Sequence, residues 1–220
     1  MRTIRVTGKG TLKLRPDTTR ISISLEGLFP EYSETLRRSS EDTERIKDLL
    51  ARFGFESSEL KTLHFSVDTE YEGVQEQGVY RQRFAGYRFR HQMKLEFPSD
   101  NERLGKVLYA LANCSVKPEF RLSYTVKDPE AAKNELLGRA VADAREKAAV
   151  LTRAGGLNLG AIQSIDYSWG ELDFEVRPMN GPMLANRSFG AAKEAASFDL
   201  NIVPDDIQVS DTVTVVWEIE

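Results

Sequence analysis

The chain has 220 residues, and 34 aspartates and glutamates outweigh 30 lysines and arginines, which gives a formal net charge of −4. A chain of this length can bury roughly 70 % of the surface that it exposes when unfolded, so it needs no disulfide or metal to hold a core. One cysteine, Cys114, excludes an intrachain disulfide framework and a zinc site of several cysteines, and the mild acidity argues against a general nucleic-acid binder.

The first predicted strand covers residues 4–14, where apolar and polar residues alternate and Gly8 and Gly10 predict a bulge or bend. Residues 21–25 alternate in the same way and predict a second strand. This opening contains no apolar core of a signal peptide, and no apolar run in the chain reaches the ~18 residues that cross a bilayer. We therefore expect a cytoplasmic protein without a membrane span, and a periplasmic or envelope location only if a signal has been removed.

A long helix is predicted over residues 30–53, because apolar side chains recur at spacings of three, four and seven and Gly54 offers a stop just after them. Residues 63–67 alternate and predict a third strand. The stretch 71–84 that follows is polar and contains two glycines, so it predicts a hairpin loop.

The most regular alternation of the chain lies in residues 87–97, and it indicates one buried and one solvated face, typical of an antiparallel sheet. The polar face carries Arg88, Arg90 and Lys94, the centre of the main basic concentration. His91 lies on the apolar face, where we expect a core or interface histidine with one ring nitrogen bonded.

Two further helices are predicted: a short one capped by Ser99 or Asp100, and a long, alanine-rich one that starts at Asp128-Pro129. The remaining predicted strands cover residues 120–126, 162–169 and 213–219. The order of elements predicts an α+β fold, with a mainly antiparallel sheet packed by two long helices and one short helix and a long loop before the last strand. We expect one domain over residues 1–220.

Residues 171–206 predict a long loop, because they contain prolines and glycines and show no sustained periodicity. Seven acidic residues against three basic ones place the whole net charge of −4 in this loop. Apolar residues in and beside it suggest docking on a partner or on the domain itself; they include Trp169, Phe174, Met183 and Phe189.

Six stretches, in order along nearly the whole chain, resemble the SIMPL-domain family, a family of unknown function also called DUF541. They are Ile4-Arg5-Val6-Thr7-Gly8-Lys9-Gly10, Pro16-Asp17, Gly86-Tyr87, the alanine-rich residues 140–148, Leu159-Gly160-Ala161-Ile162 and Val203-Pro204-Asp205-Asp206-Ile207. The resemblance implies one α+β domain, often bacterial, often exported to the periplasm or envelope, and inclined to self-assemble. It implies no catalytic residues, because no reaction is established for the family. The chain departs from the family in lacking an export signal and in having Asp205 where glycine is common.

No motif in the chain predicts a catalytic, cofactor or metal site. Gly8 and Gly10 are followed by more strand, whereas a phosphate loop leads into a helix. A catalytic histidine needs an orienting acid and a nucleophile, and the sequence identifies neither for His91 or His64. The acidic groups at 70–76 and 171–175 lack the ligand spacing of a calcium loop, and they predict solvated acids.

Three functional hypotheses remain open at this point. The leading one is a non-enzymatic module that forms a homo-oligomer or binds a protein partner, and its candidate interaction surface comprises Arg88, Arg90, Lys94, Trp169, Phe174, Met183 and Phe189. The second is an enzyme or small-ligand binder with a site between the Arg88/Arg90/Lys94 face and the 171–206 loop. The third, a nucleic-acid-binding module on the basic strand, is disfavoured by the net acidity. The alternative for the basic residues is a solvated sheet face with cross-strand ion pairs.

Overall fold

The alternating segments form strands and the periodic segments form helices in the computed structural model, which describes residues 2–76, 79–167, 172–177 and 202–220. The elements are β1 (Arg2–Leu14), β2 (Thr18–Phe29), α1 (Tyr32–Ala51), β3 (Lys61–Glu76), β4 (Val79–Pro98), α2 (Asn101–Ala112), β5 (Glu119–Thr125), α3 (Pro129–Ala154), β6 (Leu159–Asp166), β7 (Glu175–Val176) and β8 (Ile207–Ile219). Antiparallel strand pairs and helices confirm the predicted α+β class.

The chain divides into two compact units. Unit 1 comprises Met1–Asp17, Thr125–Val176 and Asp205–Glu220, and unit 2 comprises Thr18–Tyr124 and Arg177–Pro204. The single domain over residues 1–220 stays a prediction.

In unit 1 the strands follow the order β1-β8-β6, and α3 packs on one face of β1 and β8. The helix begins as predicted, because the Asp128 carboxylate accepts a hydrogen bond from the Ala131 N–H at 2.9 Å and Pro129 stands in the first turn. Its inner stripe is mainly alanine, which lets the helix lie close to the sheet over Trp217. Among the described residues, no helix is both long and apolar enough to cross a membrane.

The bulge predicted at Gly8 and Gly10 is wrong. The pairing of β1 with β8 runs without a register shift over the whole of β1. A Cβ atom on Gly8 would lie 2.0 Å from the Ala140 carbonyl oxygen, and one on Gly10 would lie 2.1 Å from that of Leu136. The two glycines are therefore needed because the backbone of α3 lies where side chains would point.

In unit 2 neighbouring strands follow the order β3-β4-β2-β5. The Asp100 carboxylate caps α2 by accepting from the N–H groups of Glu102 and Arg103 at 2.9 and 3.1 Å, which confirms the second of the two predicted caps. Both helices of the unit bury apolar side chains in one core with the inner face of the sheet, and this core includes Ile21, Ile23, Ile46, Leu50, Phe89, Met93, Leu95, Leu104, Leu108 and Leu111.

The first half of α1 differs from the apolar stripe that the sequence indicates. Tyr32 and Leu36 are exposed, whereas Thr35 and Ser39 are buried. The Thr35 hydroxyl donates to the Glu31 carbonyl oxygen at 2.8 Å, so a small polar residue is satisfied inside the helix and can face the sheet.

The hairpin between β3 and β4 is the largest departure from the sequence prediction. Residues 71–84 were expected to form a loop, but β3 continues to Glu76 and β4 begins at Val79. The pairing of β2 with β4 ends at Phe29↔Tyr87, so the hairpin continues beyond β2 as a two-stranded ribbon. We call its residues 70–76 and 79–86 the arm.

Candidate functional site

The polar face of β4 carries the predicted basic residues, and each of them lies close to a carboxylate. The Arg88 guanidinium donates to Glu70 at 2.7 Å and to Glu26 at 3.1 Å, and Arg90 lies 3.2 Å from Asp68 and 3.3 Å from Glu70. These partners lie on the two strands that flank β4. The hydrogen bond with Glu70 raises the pKa of Arg88, so this guanidinium stays charged.

Lys94 completes this face through a second group of ion pairs. Its ammonium lies 3.2 Å from the Glu96 carboxylate, which Arg20 also contacts at 2.6 Å. The basic face is therefore compensated by acids of the same sheet, as in the cross-strand ion-pair alternative. Its cations already have partners, which weakens the hypothesis of a small-ligand or catalytic site built on Arg88, Arg90 and Lys94.

The apolar residues of the predicted interaction surface do not form one exposed patch in the described part of the chain. Phe174 is only 6 % exposed and packs with Leu12, Leu136 and Ile207 in a core of unit 1. It therefore belongs to its own unit and not to an exposed surface. Trp169, Met183 and Phe189 lie outside the described residues.

The predicted acidic groups provide no metal centre in the part of the chain that the structure describes. Glu70 is engaged by Arg88 and Arg90, and Glu72 lies 3.0 Å from Arg83. No group of three histidine, cysteine or carboxylate side chains among the described residues has a geometry that could hold a metal ion.

His91 is buried at the junction of three elements, and both ring nitrogens have hydrogen-bond partners rather than the single one expected. Nδ1 lies 3.0 Å from the Thr43 hydroxyl on α1, and Nε2 lies 2.8 Å from the Thr62 hydroxyl on β3. Thr43 already donates its proton to the Ser39 carbonyl oxygen, so Nδ1–H donates to Thr43, and in the neutral ring Nε2 accepts from Thr62. Burial lowers the pKa of His91 and so favours this neutral ring, and the two hydrogen bonds indicate a structural role.

The stability of unit 2 is expected to fall below pH 6.5 because of His91. Burial, followed by the charge of Lys47, lowers the pKa of His91 in the folded state from its ordinary value of 6.5. As the pH falls through 6.5, the unfolded chain takes up a proton before the folded chain does, and the free energy of unfolding decreases until the lowered pKa is reached. Urea unfolding between pH 5 and 8 measures this dependence, which His91→Phe should reduce.

Replacement of the exposed His64 by glutamine is the matched control for this pH series. It changes the other histidine of the chain without touching the buried hydrogen bonds of His91. An equal loss of pH dependence in both variants would contradict the assignment to His91.

The arm carries a surface that the sequence pattern did not reveal. Tyr71 is 56 % exposed, Tyr80 is 77 % exposed and Phe84 is 42 % exposed. Tyr71 pairs with Phe84 in the register, and Gln75 with Tyr80 four residues further on, so these three rings lie on one face of the ribbon. We call this surface the aromatic face.

The rings of the aromatic face continue toward the start of α1 through edge-to-face contacts. The centroids of Tyr71 and Phe84 are 5.9 Å apart, those of Phe84 and Tyr87 are 5.2 Å apart, and those of Tyr87 and Tyr32 are 5.4 Å apart. The opposite face of the arm carries the Glu72–Arg83 ion pair. The arm is therefore amphipathic, although the described residues leave side chains on both of its faces exposed.

Comparison with known proteins places this architecture in a family. The profile of SIMPL, protein of unknown function (DUF541), matches residues 4–217. Two relatives, each named "26 kDa periplasmic immunogenic protein", come from Brucella melitensis and Brucella abortus. Each is 23 % identical over 218 residues, which cover 99 % of this chain and 84 % of the relative. Because the profile spans nearly the whole chain, the resemblance in the sequence is confirmed and the chain belongs to the SIMPL family.

Proposed function

We propose that the protein is a non-enzymatic, self-assembling module, and that the aromatic face of the arm binds the same face of a second copy. The observation that carries this proposal is the exposure of Tyr71, Tyr80 and Phe84 on a ribbon that β2 does not reach. Among the described residues no other element packs on this part of the ribbon, and a two-stranded ribbon alone is only marginally stable in water. A partner that packs on the aromatic face would stabilise the ribbon.

A second copy suits the aromatic face because the exposed side chains that define this face are uncharged. Two identical faces therefore meet without like charges opposite one another. Aromatic side chains bury about 150–250 Å² each, so the three exposed rings of the aromatic face together with Tyr32 can contribute on the order of 400 Å². This is about half of the roughly 800 Å² that each partner buries in a standard interface.

The assignment of a non-enzymatic role is supported by the bonding of the described titratable groups. Arg88, Arg90 and Lys94 are held by carboxylates, and His91 is held by two threonines. Their bonding supports a structural role for these four side chains in unit 2.

A periplasmic location is supported by the names of the two Brucella relatives. They favour the periplasm over the cytoplasmic location expected from the sequence. Release of the protein from source cells by osmotic shock tests this placement, and retention with a cytoplasmic marker would contradict it.

The double variant Tyr71→Ser/Phe84→Ser tests the self-assembly. We expect sedimentation velocity and light scattering to show oligomers of the wild type across a wide concentration range. The double variant should require a concentration at least about tenfold higher than the wild type to remain assembled. The matched control is Glu72→Ser/Arg83→Ser, which alters the opposite face of the same arm and removes a surface ion pair of small energy.

Two outcomes would overturn the proposal. The first is a wild type that stays monomeric at every concentration. The second is an oligomer that both double variants leave unchanged, since the aromatic face would then not be the contact.

A further inference from the structure

The three-stranded sheet of unit 1 has one face under α3 and one open face, and β1 divides its side chains between the two. Residues at even positions from 6 to 12 are buried beneath α3, whereas every residue at an odd position from 3 to 13 is exposed. The described elements that pack closely on β1 are β8, beside it, and α3, on the other face. The open face therefore stays accessible along β1 in the described part of the chain.

Three cations stand in line on this open face. Arg5, Lys9 and Lys13 recur at every fourth residue, which places them about 13 Å apart on an extended strand and about 27 Å from first to last. The residues opposite them on β8 are uncharged and are Val216, Thr212 and Gln208. We call the three cations the basic row.

The basic row differs from the cations of β4 in its lack of acidic partners. Arg88 and Arg90 lie 2.7 and 3.2 Å from carboxylates, whereas Arg5 and Lys9 form no ion pair with any described residue. Lys13 lies 3.2 Å from Asp206, and its side chain is still 64 % exposed. The row can therefore contact an anionic ligand without first breaking a buried ion pair.

Hydroxyl groups alternate with the cations. Thr7 and Thr11 stand between the members of the basic row, and β8 adds Ser210, Thr212 and Thr214 to the same face. The hydroxyl groups of Thr7 and Thr214 lie 2.8 Å apart, and each keeps further hydrogen-bonding capacity because a hydroxyl has one proton and two lone pairs. Such a face is complementary to a ligand that also alternates anionic groups with hydroxyl groups.

We propose that the open face of unit 1 binds a linear acidic polysaccharide, which lies along β1. The anionic groups of the polymer pair with the basic row through charge-assisted hydrogen bonds, and its hydroxyl groups bond to Thr7 and Thr11. This site lies on unit 1 and does not depend on the aromatic face, which belongs to unit 2.

The distribution of charge favours a linear polymer over an anionic membrane. A planar membrane surface would also meet Glu218 and Asp166, which lie on the open face beyond β1, opposite Thr3 and Thr214. A polymer that follows β1 avoids them. The Asp143 carboxylate, which accepts from the Lys9 N–H, belongs to α3 and is compensated by Lys147 at 2.7 Å.

The side chains of the open face also favour a polysaccharide over a single-stranded nucleic acid. Proteins hold single strands by stacking the bases on aromatic side chains. Among the described residues, β1 and β8 place no aromatic side chain on the open face, since Trp217 is buried on the side of α3. Hydroxyl groups occupy the positions where stacking rings would be needed.

Binding of a fluorescently labelled polygalacturonate fragment to the whole protein, followed by polarisation, tests the proposal. We expect binding at low salt that weakens on the order of tenfold between about 50 and about 200 mM salt, because ionic contacts release counterions. A dextran fragment of the same length, which carries no charge, should not bind. The double variant Arg5→Gln/Lys9→Gln should weaken polygalacturonate binding at least about fivefold.

Two further variants show whether the position of the charges matters. Arg145→Gln/Arg153→Gln removes the same charge from exposed sites on α3, on the other side of the sheet, and should leave binding unchanged. Arg5→Glu/Lys9→Glu keeps charged side chains on the outer strand, which protect it from pairing with other chains. It should abolish binding while the mass in solution stays that of the wild type.

Thr7→Val/Thr11→Val distinguishes a polysaccharide site from a surface that binds any polyanion. The variant keeps the basic row and the β-branched shape of both side chains. We expect polygalacturonate binding to weaken at least about threefold, and binding of inorganic polyphosphate to stay unchanged.

Four outcomes would overturn the proposal. They are absence of polygalacturonate binding at low salt, equal weakening by the α3 control variant, unchanged polygalacturonate binding in the threonine variant, and tighter binding to phosphatidylglycerol vesicles or to a mixed-sequence oligonucleotide. A wild type that stays monomeric yet binds polygalacturonate through the basic row would overturn the proposed self-assembly and support this site.

Discussion

Replacing Gly8 by alanine is expected to lower the free energy of unfolding of unit 1 by about 3 kcal/mol. The new methyl carbon would lie 2.0 Å from the Ala140 carbonyl oxygen and 2.4 Å from the Ala144 nitrogen. Both atoms belong to the backbone of α3, so no side-chain rotation can relieve the overlap and the helix must move away from β1. That movement would loosen the packing of the alanine stripe on Trp217.

Urea unfolding followed by the fluorescence of Trp217, in a Trp169→Phe background, measures this effect. Gly10→Ala is expected to act similarly, because its methyl carbon would lie 2.1 Å from the Leu136 carbonyl oxygen. The double variant should lose less than the sum of the two, since both substitutions push on one helix.

Gly138→Ala is the matched control. It lies on α3 with nothing within 4 Å of the added carbon, and it should stabilise the helix by about 1 kcal/mol. A Gly8→Ala variant as stable as the wild type would show that α3 does not rest on β1.

Replacing Gly86 by alanine is expected to disrupt the base of the arm and lower the free energy of unfolding of unit 2 by about 2–3 kcal/mol. Gly86 has φ +144°, a conformation that side chains disfavour, and an added carbon would lie 2.5 Å from the Phe29 carbonyl oxygen. The pairing shifts here, from Glu70↔Gly86 to Tyr71↔Phe84, so this glycine sits where the arm leaves the three-stranded pairing. Because the arm is the proposed contact between copies, the variant should also lose self-assembly.

The thermal midpoint and the mass in solution, recorded on the same samples, test this prediction. Gly73→Ala is the control for the thermal midpoint, since Gly73 lies in the same hairpin with nothing within 4 Å of an added carbon. An unchanged midpoint in Gly86→Ala would contradict the close approach of the two backbones. A lowered thermal midpoint with self-assembly intact would show that the contact between copies does not depend on the base of the arm.

Local signals predicted the elements that depend on a few neighbouring residues. The cap at Asp128, the proline after it and the periodic alanines define α3, and the carboxylate of Asp100 starts α2. Capping and helix periodicity act over three or four residues, so they can be read without knowledge of the fold.

The arm could not be predicted in this way. Alternation identifies a strand when one face is buried, whereas both faces of the arm are solvated and its three aromatic rings stand among polar residues. Phe174 illustrates the opposite case. It lies in a stretch without periodicity, yet it is buried because Leu12, Leu136 and Ile207 from distant parts of the chain surround it.

By itself, the sequence determined the α+β class, the caps of α2 and α3 and the family, because each follows from local pattern or from ordered motifs along the chain. Only the tertiary structure decided why Gly8 and Gly10 are glycines, which carboxylates neutralise the basic face, and which hydroxyl groups bond the ring of His91. The physical reason is separation along the chain: Lys9 and Asp143, which are joined by a hydrogen bond from the Lys9 N–H to the carboxylate, are 134 residues apart. Hydrogen bonds, ion pairs and steric contacts act over a few ångströms, and only folding brings such residues within that range.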